Sequence, residues 1–316
     1  YLMPCFIVIL NIAIVFSGGF ALYNGVAVHG LIRLNADGTR DMSFVSALNL
    51  GTYKGTIVRV QADNKIVVVK KSNVNTELIN QIQRLNSDGS LDNTFTAGDV
   101  VYSIYDVAIQ PDGKIVAVGS FIAYNSNSAI CVARINTDGS FDTGFNTGQG
   151  FSTTYYPESI IAQPDGKLII GGRFPDFNGI PSPGLVRINT DGSKDTTFNI
   201  GTGFPLNSSV AALALLADGK VVAGGTSHYF DDFPINFITR INTDGSRDTD
   251  FTNFGKGLDD VLYTTPALQP DGKILISGSF GTFNDQAVQN FIRLNTDGTF
   301  DPTFNVTGNG FQGNSI

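Results

Sequence analysis

The sequence predicts an all-β fold of the β-propeller type, on three observations. The phrase Arg-(Ile/Leu)-Asn-x-Asp-Gly-(Ser/Thr)-x-Asp-x-x-Phe occurs six times, with its glycines at Gly38, Gly89, Gly139, Gly192, Gly245 and Gly298, spaced by 51, 50, 53, 53 and 53 residues. A second turn phrase precedes it in five repeats: Asp63-Asn64-Lys65, Asp112-Gly113-Lys114, Asp165-Gly166-Lys167, Asp218-Gly219-Lys220 and Asp271-Gly272-Lys273. The composition is strand-and-turn material, with 36 Gly, 24 Phe, no Trp and only Glu77 and Glu158 as glutamates. A period near fifty residues built from short strands and glycine turns is the signature of a propeller or another repeat array.

The third repeat displays the unit in order. Val107–Gln110 reads as a first strand and Pro111–Lys114 as a turn. Ile115–Phe121 reads as a second strand, Ile130–Asn136 as a third, and Asp142–Phe145 as the lead into a short fourth. The Asp-Gly dipeptides between apolar runs are read as type I′ hairpin turns, where positive φ suits glycine. In the second strand Ile115, Ala117 and Gly119 alternate with Val116 and Val118, so both faces are apolar and both are expected to be covered. Blades stacked on one another satisfy that demand. The pairs Gly18-Gly19, Gly171-Gly172 and Gly224-Gly225 suit close backbone approach.

Six blades of about 50–53 residues are expected, at 1–49, 50–98, 99–148, 149–201, 202–254 and 255–304, with 305–316 as a closing tail. The alternative is seven blades completed by sequence outside this chain. Blades one and two are irregular: Leu10-Asn11-Ile12-Ala13 replaces the second turn phrase, and Lys70-Lys71 stands where other blades carry Gly-Gly. Residues 1–15 are apolar and read either as part of a degenerate first blade, since Ile14–Phe20 aligns with Ile115–Phe121, or as a targeting segment. They lack the length and flanks of a membrane span. A chain that opens on Tyr1 in mid-strand is read as a piece of a longer product.

The coupled phrases Gln-Pro-Asp-Gly-Lys-Ile and Arg-Leu-Asn-x-Asp-Gly-Ser-x-Asp-x-x-Phe-Asn resemble the delta-60 repeat of bacterial β-propellers over about residues 6–311. The resemblance implies an extracellular or cell-surface bacterial protein in which the repeats accompany secretion and adhesion modules. It implies no catalytic residues.

Formal net charge is −8, which argues against a nucleic-acid partner. Two cysteines, Cys5 and Cys131, and two histidines, His29 and His228, are too few for a zinc constellation, and the cysteines' different repeat positions argue against a bridge. No metal site, cofactor or membrane insertion is expected. The Asn-x-Asp-Gly-x-x-Asp spacing invites a calcium reading, but the EF-hand's twelfth position holds Ser46, Ala97, Thr147, Ile200, Asn253 and Val306. Asx turns are the plainer reading, with an unconventional ion site as the alternative. Arg33, Arg84, Arg134, Arg187, Arg240 and Arg293 recur with Asp41, Asp92, Asp142, Asp195, Asp248 and Asp301, once per blade. A structural pair is expected from that recurrence. The Gly-x-Gly runs Gly148–Gly150, Gly201–Gly203 and Gly308–Gly310 lack a following helix and read as turns rather than phosphate loops.

Candidate binding residues lie between the second and third strands, where an aromatic precedes Asn: Tyr23, Tyr124-Asn125, Phe177-Asn178 and Phe283-Asn284. These suit glycan or protein contact, or simply pack each loop onto its blade. Blade five departs from the pattern with His228, Tyr229, Asp231 and Asp232, which form the one titratable cluster that breaks the repeat. The opposite rim carries Tyr102, Tyr105, Tyr155, Tyr156 and Tyr263. The expectation is a non-enzymatic interaction or adhesion module that meets a protein or glycan beside other domains of a longer polypeptide. A virion structural or receptor-binding component is one alternative. A carbohydrate-active enzyme using the Asp231–Asp232 pair is the other.

Overall fold

The computed structural model describes residues 6–10, 13–50, 57–74, 77–96, 98–251, 256–262, 264–288 and 290–304. Every regular element among them is a strand, and no helix is long and apolar enough to cross a membrane. Contacts divide the chain into two compact units, Tyr1–Gly144 and Phe145–Ile316.

The first unit holds three antiparallel sheets. Phe6–Leu10, Ala13–Ser17 and Leu31–Asn35 form the first, so the apolar opening segment contributes strands from Phe6 onward. Ile104–Ile109, Ile115–Gly119 and Val132–Ile135 form the third, with Ile115 opposite both Ile109 and Ile135. The second sheet is the exception. Its central strands, Ile66–Val74 and Glu77–Leu85, run nine residues each, and Gly98–Val101 adds a fourth strand. The second unit repeats the three-stranded pattern with Pro157–Ala162, Leu168–Gly172 and Leu185–Ile188, then Val210–Leu215, Val221–Gly225 and Ile238–Ile241. Ala267–Leu268, Ile274–Ser277 and Phe291–Leu294 complete it.

Apolar residues on both faces of the middle strands have a packing reason. Ile115–Gly119, Leu168–Gly172 and Val221–Gly225 are buried along their whole length. Their side chains enter cores that lie between successive sheets. In the first unit Val15, Leu31 and Phe44 pack with Val58, Ile66 and Leu85; Ile82 and Phe95 pack with Ile104 and Ile115. In the second unit Leu185 and Phe198 pack with Val210 and Val221, and Ala214 and Val222 with Ile274 and Leu294. Each such side chain contributes about 1.5–3 kcal/mol, but only when the neighbouring repeat covers it. Gly171 marks how close neighbours come, because a Cβ there would stand 2.7 Å from Ser159 Oγ and 2.8 Å from the Val210 carbonyl oxygen.

Two sequence expectations are corrected. The short fourth strand expected after Asp142–Phe145 does not form in the third repeat, unlike the second with its Gly98–Val101, and the chain returns through one bridge, Ile135 to Phe141, with equivalents in the other repeats. The reason is local. In the fourth repeat the Asp195 carboxylate accepts from Thr197 N at 2.9 Å, and Phe198 N donates to the Asp195 carbonyl at 3.3 Å, which curls the chain instead of extending it. The Asp-Gly turns, moreover, are not type I′. Gly139 N donates to the Asn136 carbonyl at 2.9 Å and Asn136 N to that of Ser140 at 2.8 Å, and only the glycine is left-handed, at φ 88°. This is a type I turn closed by a left-handed residue, a three-residue loop. Asp138 Oδ1 accepts from both Ser140 N and Ser140 Oγ, which holds the aspartate in its right-handed place.

The type I′ turns lie elsewhere, in the aromatic–Asn loops. Those loops are two-stranded ribbons such as Ala123–Tyr124 with Asn127–Ser128, turned by Asn125 and Ser126 at φ 44° and 66°. Equivalent ribbons turn at Asn24-Gly25, Asn178-Gly179, Asp231-Asp232 and Asn284-Asp285, each pair with positive φ. Tail residues 305–316 with Gly308–Gly310 and Val306, together with Cys5, Asn11, Ile12, Asn253 and Tyr263, lie outside the described residues.

Candidate functional site

At the turn end of each sheet the recurring charges engage one another. Asp195 Oδ2 accepts from Arg187 Nε and from Lys167 Nζ, each at 2.7 Å. Its Oδ1 accepts from Thr197 N at 2.9 Å and from Thr197 Oγ1 at 2.7 Å. Arg187 Nη1 reaches on to the Thr243 carbonyl of the next repeat at 2.6 Å, and its guanidinium lies 4.6 Å from the Phe198 ring centroid. The same Lys–Asp–Arg arrangement recurs at Asp92, Asp142, Asp248 and Asp301. Arg33 pairs with Asp41 at 2.8 Å in the first repeat, where Ala13 replaces the lysine. Arg33 and Arg240 also donate to the next repeat's turn, at the carbonyls of Ser87 and Thr296. Burial alone would raise the Asp195 carboxyl, but the Lys167 ammonium, the Thr197 donors and Arg187 outweigh it and hold the group well below the usual carboxylate range.

A calcium ion would have to compete with these donors. Asp138 is engaged by Ser140, Asp142 by Lys114, Arg134 and Gly144 N, and Asn136 Nδ2 donates to Ser140 Oγ at 3.0 Å. No group of three metal-ligating side chains occurs among the described residues. A depression of about 230 Å³ in the second repeat is lined by Gln83, Arg84 and Asp92 among others, so it borders one of the same ion pairs.

The ribbons place the aromatic residues inward. Tyr124, Phe177, Phe230 and Phe283 are fully buried, which corrects the reading of Tyr124, Phe177 and Phe283 as rim contacts. Tyr124 Oη donates to the Gly139 carbonyl at 2.9 Å, and the half-buried Tyr23 makes the same bond to Gly38 at 2.6 Å. Asn at the ribbon tip has a fixed partner too. Asn125 Oδ1 accepts from Asp99 N at 2.8 Å, Asn178 Oδ1 from Gln149 N at 2.9 Å, and Asn284 Oδ1 from Gly257 N at 2.8 Å. The runs Gly148–Gly150 and Gly201–Gly203 are seats for the side chain at this position: a Cβ on Gly148 would stand 2.6 Å from the Asn178 amide, and one on Gly201 2.0 Å from Asp231 Oδ1.

Blade five follows the same plan, contrary to its reading as a departure. Phe230 occupies the aromatic position and Asp231 the Asn position, where its Oδ1 accepts from Thr202 N at 2.9 Å. Asp231 and Asp232 are the two central residues of the type I′ turn, and the His228 ring rests 4.3 Å from that of Phe237. Asp232, His228 and Tyr229 remain exposed, as does Phe233, whose ring carries the Arg247 guanidinium at 4.5 Å. Cys131 is buried in the third repeat, and burial pushes its thiol up to about 11, away from reactive thiolate chemistry.

The residues that occur once gather instead where first strands begin and second strands end. In the second repeat's extended sheet Asn80 is fully buried, and its Nδ2 donates to the Tyr102 carbonyl at 2.6 Å while its Oδ1 accepts from Ile104 N at 3.2 Å. That clamp holds Tyr102 at φ 76° with 56 % of its surface exposed. A left-handed tyrosine is strained, and such strain concentrates at ligand-contacting positions. Lys71 stands opposite Asn80, and burial lowers its ammonium pKa. At the corresponding place in the fourth repeat lie Tyr155, Tyr156, Arg173 and Glu158. Glu158 was not singled out from the sequence, although it is one of only two glutamates and stands where other repeats carry Tyr105 and Ala211.

Six stretches of the chain, 14–44, 61–95, 110–145, 163–198, 216–251 and 269–304, match the domain of unknown function (DUF5122) beta-propeller. The chain belongs to this β-propeller family. The all-β propeller class expected from the period is therefore the observed one, with six repeats. Among solved structures, this propeller is similar to the extracellular domain of BT4673 from B. thetaiotaomicron, at 12 % identity and a TM-score of 0.48, over 85 % of this chain and 31 % of that one. The propeller thus spans about a third of that chain's length. It is also similar to YCF48 bound to D1 peptide, at 12 % identity and a TM-score of 0.41, covering 90 % of this chain and 93 % of the other. No curated protein matches it.

Proposed function

We propose that this propeller is a non-catalytic interaction module of a larger bacterial cell-surface or secreted protein, meeting a glycan or a protein through residues that do not recur. It requires no cofactor on this reading. The observation that carries it is the display of Tyr102: a buried asparagine holds a strained backbone in place and leaves the ring in solvent. The recurring charges support it from the other side, since each is already satisfied within or between repeats. The resemblance to delta-60 repeats supports the surface setting, and the acidic net charge of −8 disfavours nucleic acid.

The test is a glycan array together with capture of secreted and surface proteins, followed by hydrolysis assays on any sugar retained. The expected result is binding that Tyr102→Ala weakens at least tenfold, with no turnover. Turnover that Asp231→Ala or Asp232→Ala abolishes would replace this reading with the enzymatic one.

A further inference from the structure

We infer that the fourth repeat carries a saccharide-binding subsite in which Glu158, Ser209 and Arg173 receive the hydroxyls of a neutral sugar beside the ring of Tyr155. The inference rests on the interaction reading above and names the ligand class for one place on the module.

The site is built by a break in the strand ladder. Pro157 pairs with Gly172 and Ser159 with Gly171, so Glu158 is the extra residue of a β-bulge. Bulges re-aim a side chain, and here the re-aimed group is a carboxyl. It lies against Ser209, the residue that leads into the next sheet, and that seam is closed just below by Ser159 Oγ donating to the Val210 carbonyl at 2.9 Å. Ser209 is only 7 % exposed, and its Oγ, which has no hydrogen bond of normal length, faces the Glu158 carboxyl and favours its ionised form, while its backbone N–H is satisfied by Thr226 Oγ1 at 2.8 Å. A buried hydroxyl held beyond good hydrogen-bond length from its acceptor forfeits part of the about 1–3 kcal/mol that such a bond preserves, and a ligand hydroxyl seated between Ser209 and Glu158 would restore it.

Arg173 follows the second strand and is exposed. Its backbone N–H donates to the Tyr156 carbonyl at 3.0 Å, and its guanidinium stands 5.7 Å from the Tyr155 ring centroid. It acts on the Glu158 carboxyl through space without forming an ion pair with it. Burial raises the Glu158 carboxyl, and Ser209 and Arg173 offset that without cancelling it. A carboxyl, a hydroxyl and a guanidinium therefore converge, and the carboxyl and the guanidinium keep hydrogen-bonding capacity for a ligand.

Their charges choose the ligand. A bare anion meets Glu158 and a bare cation meets Arg173, so the pair favours a ligand with no net charge that can both donate and accept. Sugar hydroxyls do both, donating to the carboxylate and accepting from the guanidinium. The half-exposed Tyr155 ring offers an apolar face to the sugar's C–H groups. The third and fifth repeats cannot build the same site, because Tyr105 and Ala211 stand at the Glu158 position of the same bulge.

The full chain is titrated by calorimetry with cello-, malto-, xylo- and manno-oligosaccharides, for the natural sequence and for Glu158→Gln, Ser209→Ala and Asp232→Ala. The expected result is binding of at least one series, weakened tenfold or more by Glu158→Gln and by Ser209→Ala and unchanged by Asp232→Ala. Urea midpoints measured on the same samples establish that each variant is folded. Sugar binding that survives both Glu158→Gln and Ser209→Ala overturns the subsite while leaving the interaction reading standing. So does the absence of sugar binding in a chain that captures a protein through Tyr102. Hydrolysis of a bound sugar overturns the interaction reading instead.

Discussion

Two arginines of the fourth repeat, Arg173 just after the second strand of the sheet and Arg187 on the third, have opposite fates. Arg187 is buried, paired with Asp195, laid over Phe198 and bonded to the next repeat's turn. Arg173 is exposed, its guanidinium lies 5.7 Å from the Tyr155 ring centroid, and it forms neither an ion pair nor a side-chain hydrogen bond with any described residue. The first recurs in every repeat and the second does not. In a repeat protein, recurrence marks residues that join each unit to its neighbour, whereas a charge that appears once and stays unpaired is available to a partner.

The largest effect expected from that contrast is at Asp195. Asp195→Ala leaves Arg187 and Lys167 without their counter-charge in a mostly buried place and is expected to cost about 3–5 kcal/mol in urea unfolding. An exposed rim change such as Asp232→Ala is expected to stay within about 0.5 kcal/mol. A loss below about 1 kcal/mol for Asp195→Ala would break the contrast.

Glycines grade the same comparison at the turns. Gly139→Ala combines a left-handed φ with a Cβ 2.0 Å from the Thr96 carbonyl oxygen, and about 2 kcal/mol or more is expected. Gly25→Ala has the positive φ but open space around it, so about 1 kcal/mol is expected. Equal losses would show that the turn packs less tightly against its neighbour than the geometry implies.

At the rim the sign should reverse. Tyr102→Gly removes a strained side-chain-bearing residue and is expected to leave stability unchanged or raise it by up to about 1 kcal/mol, while weakening ligand capture. A stability loss above about 1 kcal/mol would recast Tyr102 as structural.

The smallest effect is one of pH. The recurring aspartates Asp92, Asp195 and Asp301 have lowered values, so their contribution is full above the unfolded carboxylate range, about pH 4, and falls away as acid protonates the folded carboxyls. Glu158 has the opposite sign. Its raised folded value means that ionisation opposes folding as pH climbs above the unfolded value, about 4.3, against Arg173 and Ser209 as the facing groups. Glu158→Gln is therefore expected to stabilise the chain at pH 7 and to make no difference at pH 3. A gain that persists at pH 3 would assign the effect to packing instead of charge.

The fold was legible from the sequence because spacing carries it. Gly38 to Gly298 recur at nearly constant intervals, and the doubly apolar second strands call for neighbours on both faces. The site was legible only in part, and for a physical reason. An aromatic such as Tyr124 or Phe283 reads the same whether its ring faces solvent or the core, and only tertiary packing decides. Asp231 looked like a break in the pattern because Asp and Asn differ in charge, yet either oxygen accepts the same backbone N–H, as Thr202 and Gln149 demonstrate. Asn80 and Glu158 gave little local signal, since one acts through a turn 22 residues away and the other through a bulge that no periodic pattern announces.

The most direct test returns to the two arginines: urea unfolding of Arg187→Ala and Arg173→Ala under one set of conditions. The expected result is a loss of about 2–3 kcal/mol for Arg187→Ala, which strips a buried carboxylate of its guanidinium and the next repeat of its clamp, and a change within about 0.5 kcal/mol for Arg173→Ala. Equal losses, or a larger one at Arg173, would contradict the division between residues that hold the repeats together and residues left free to bind.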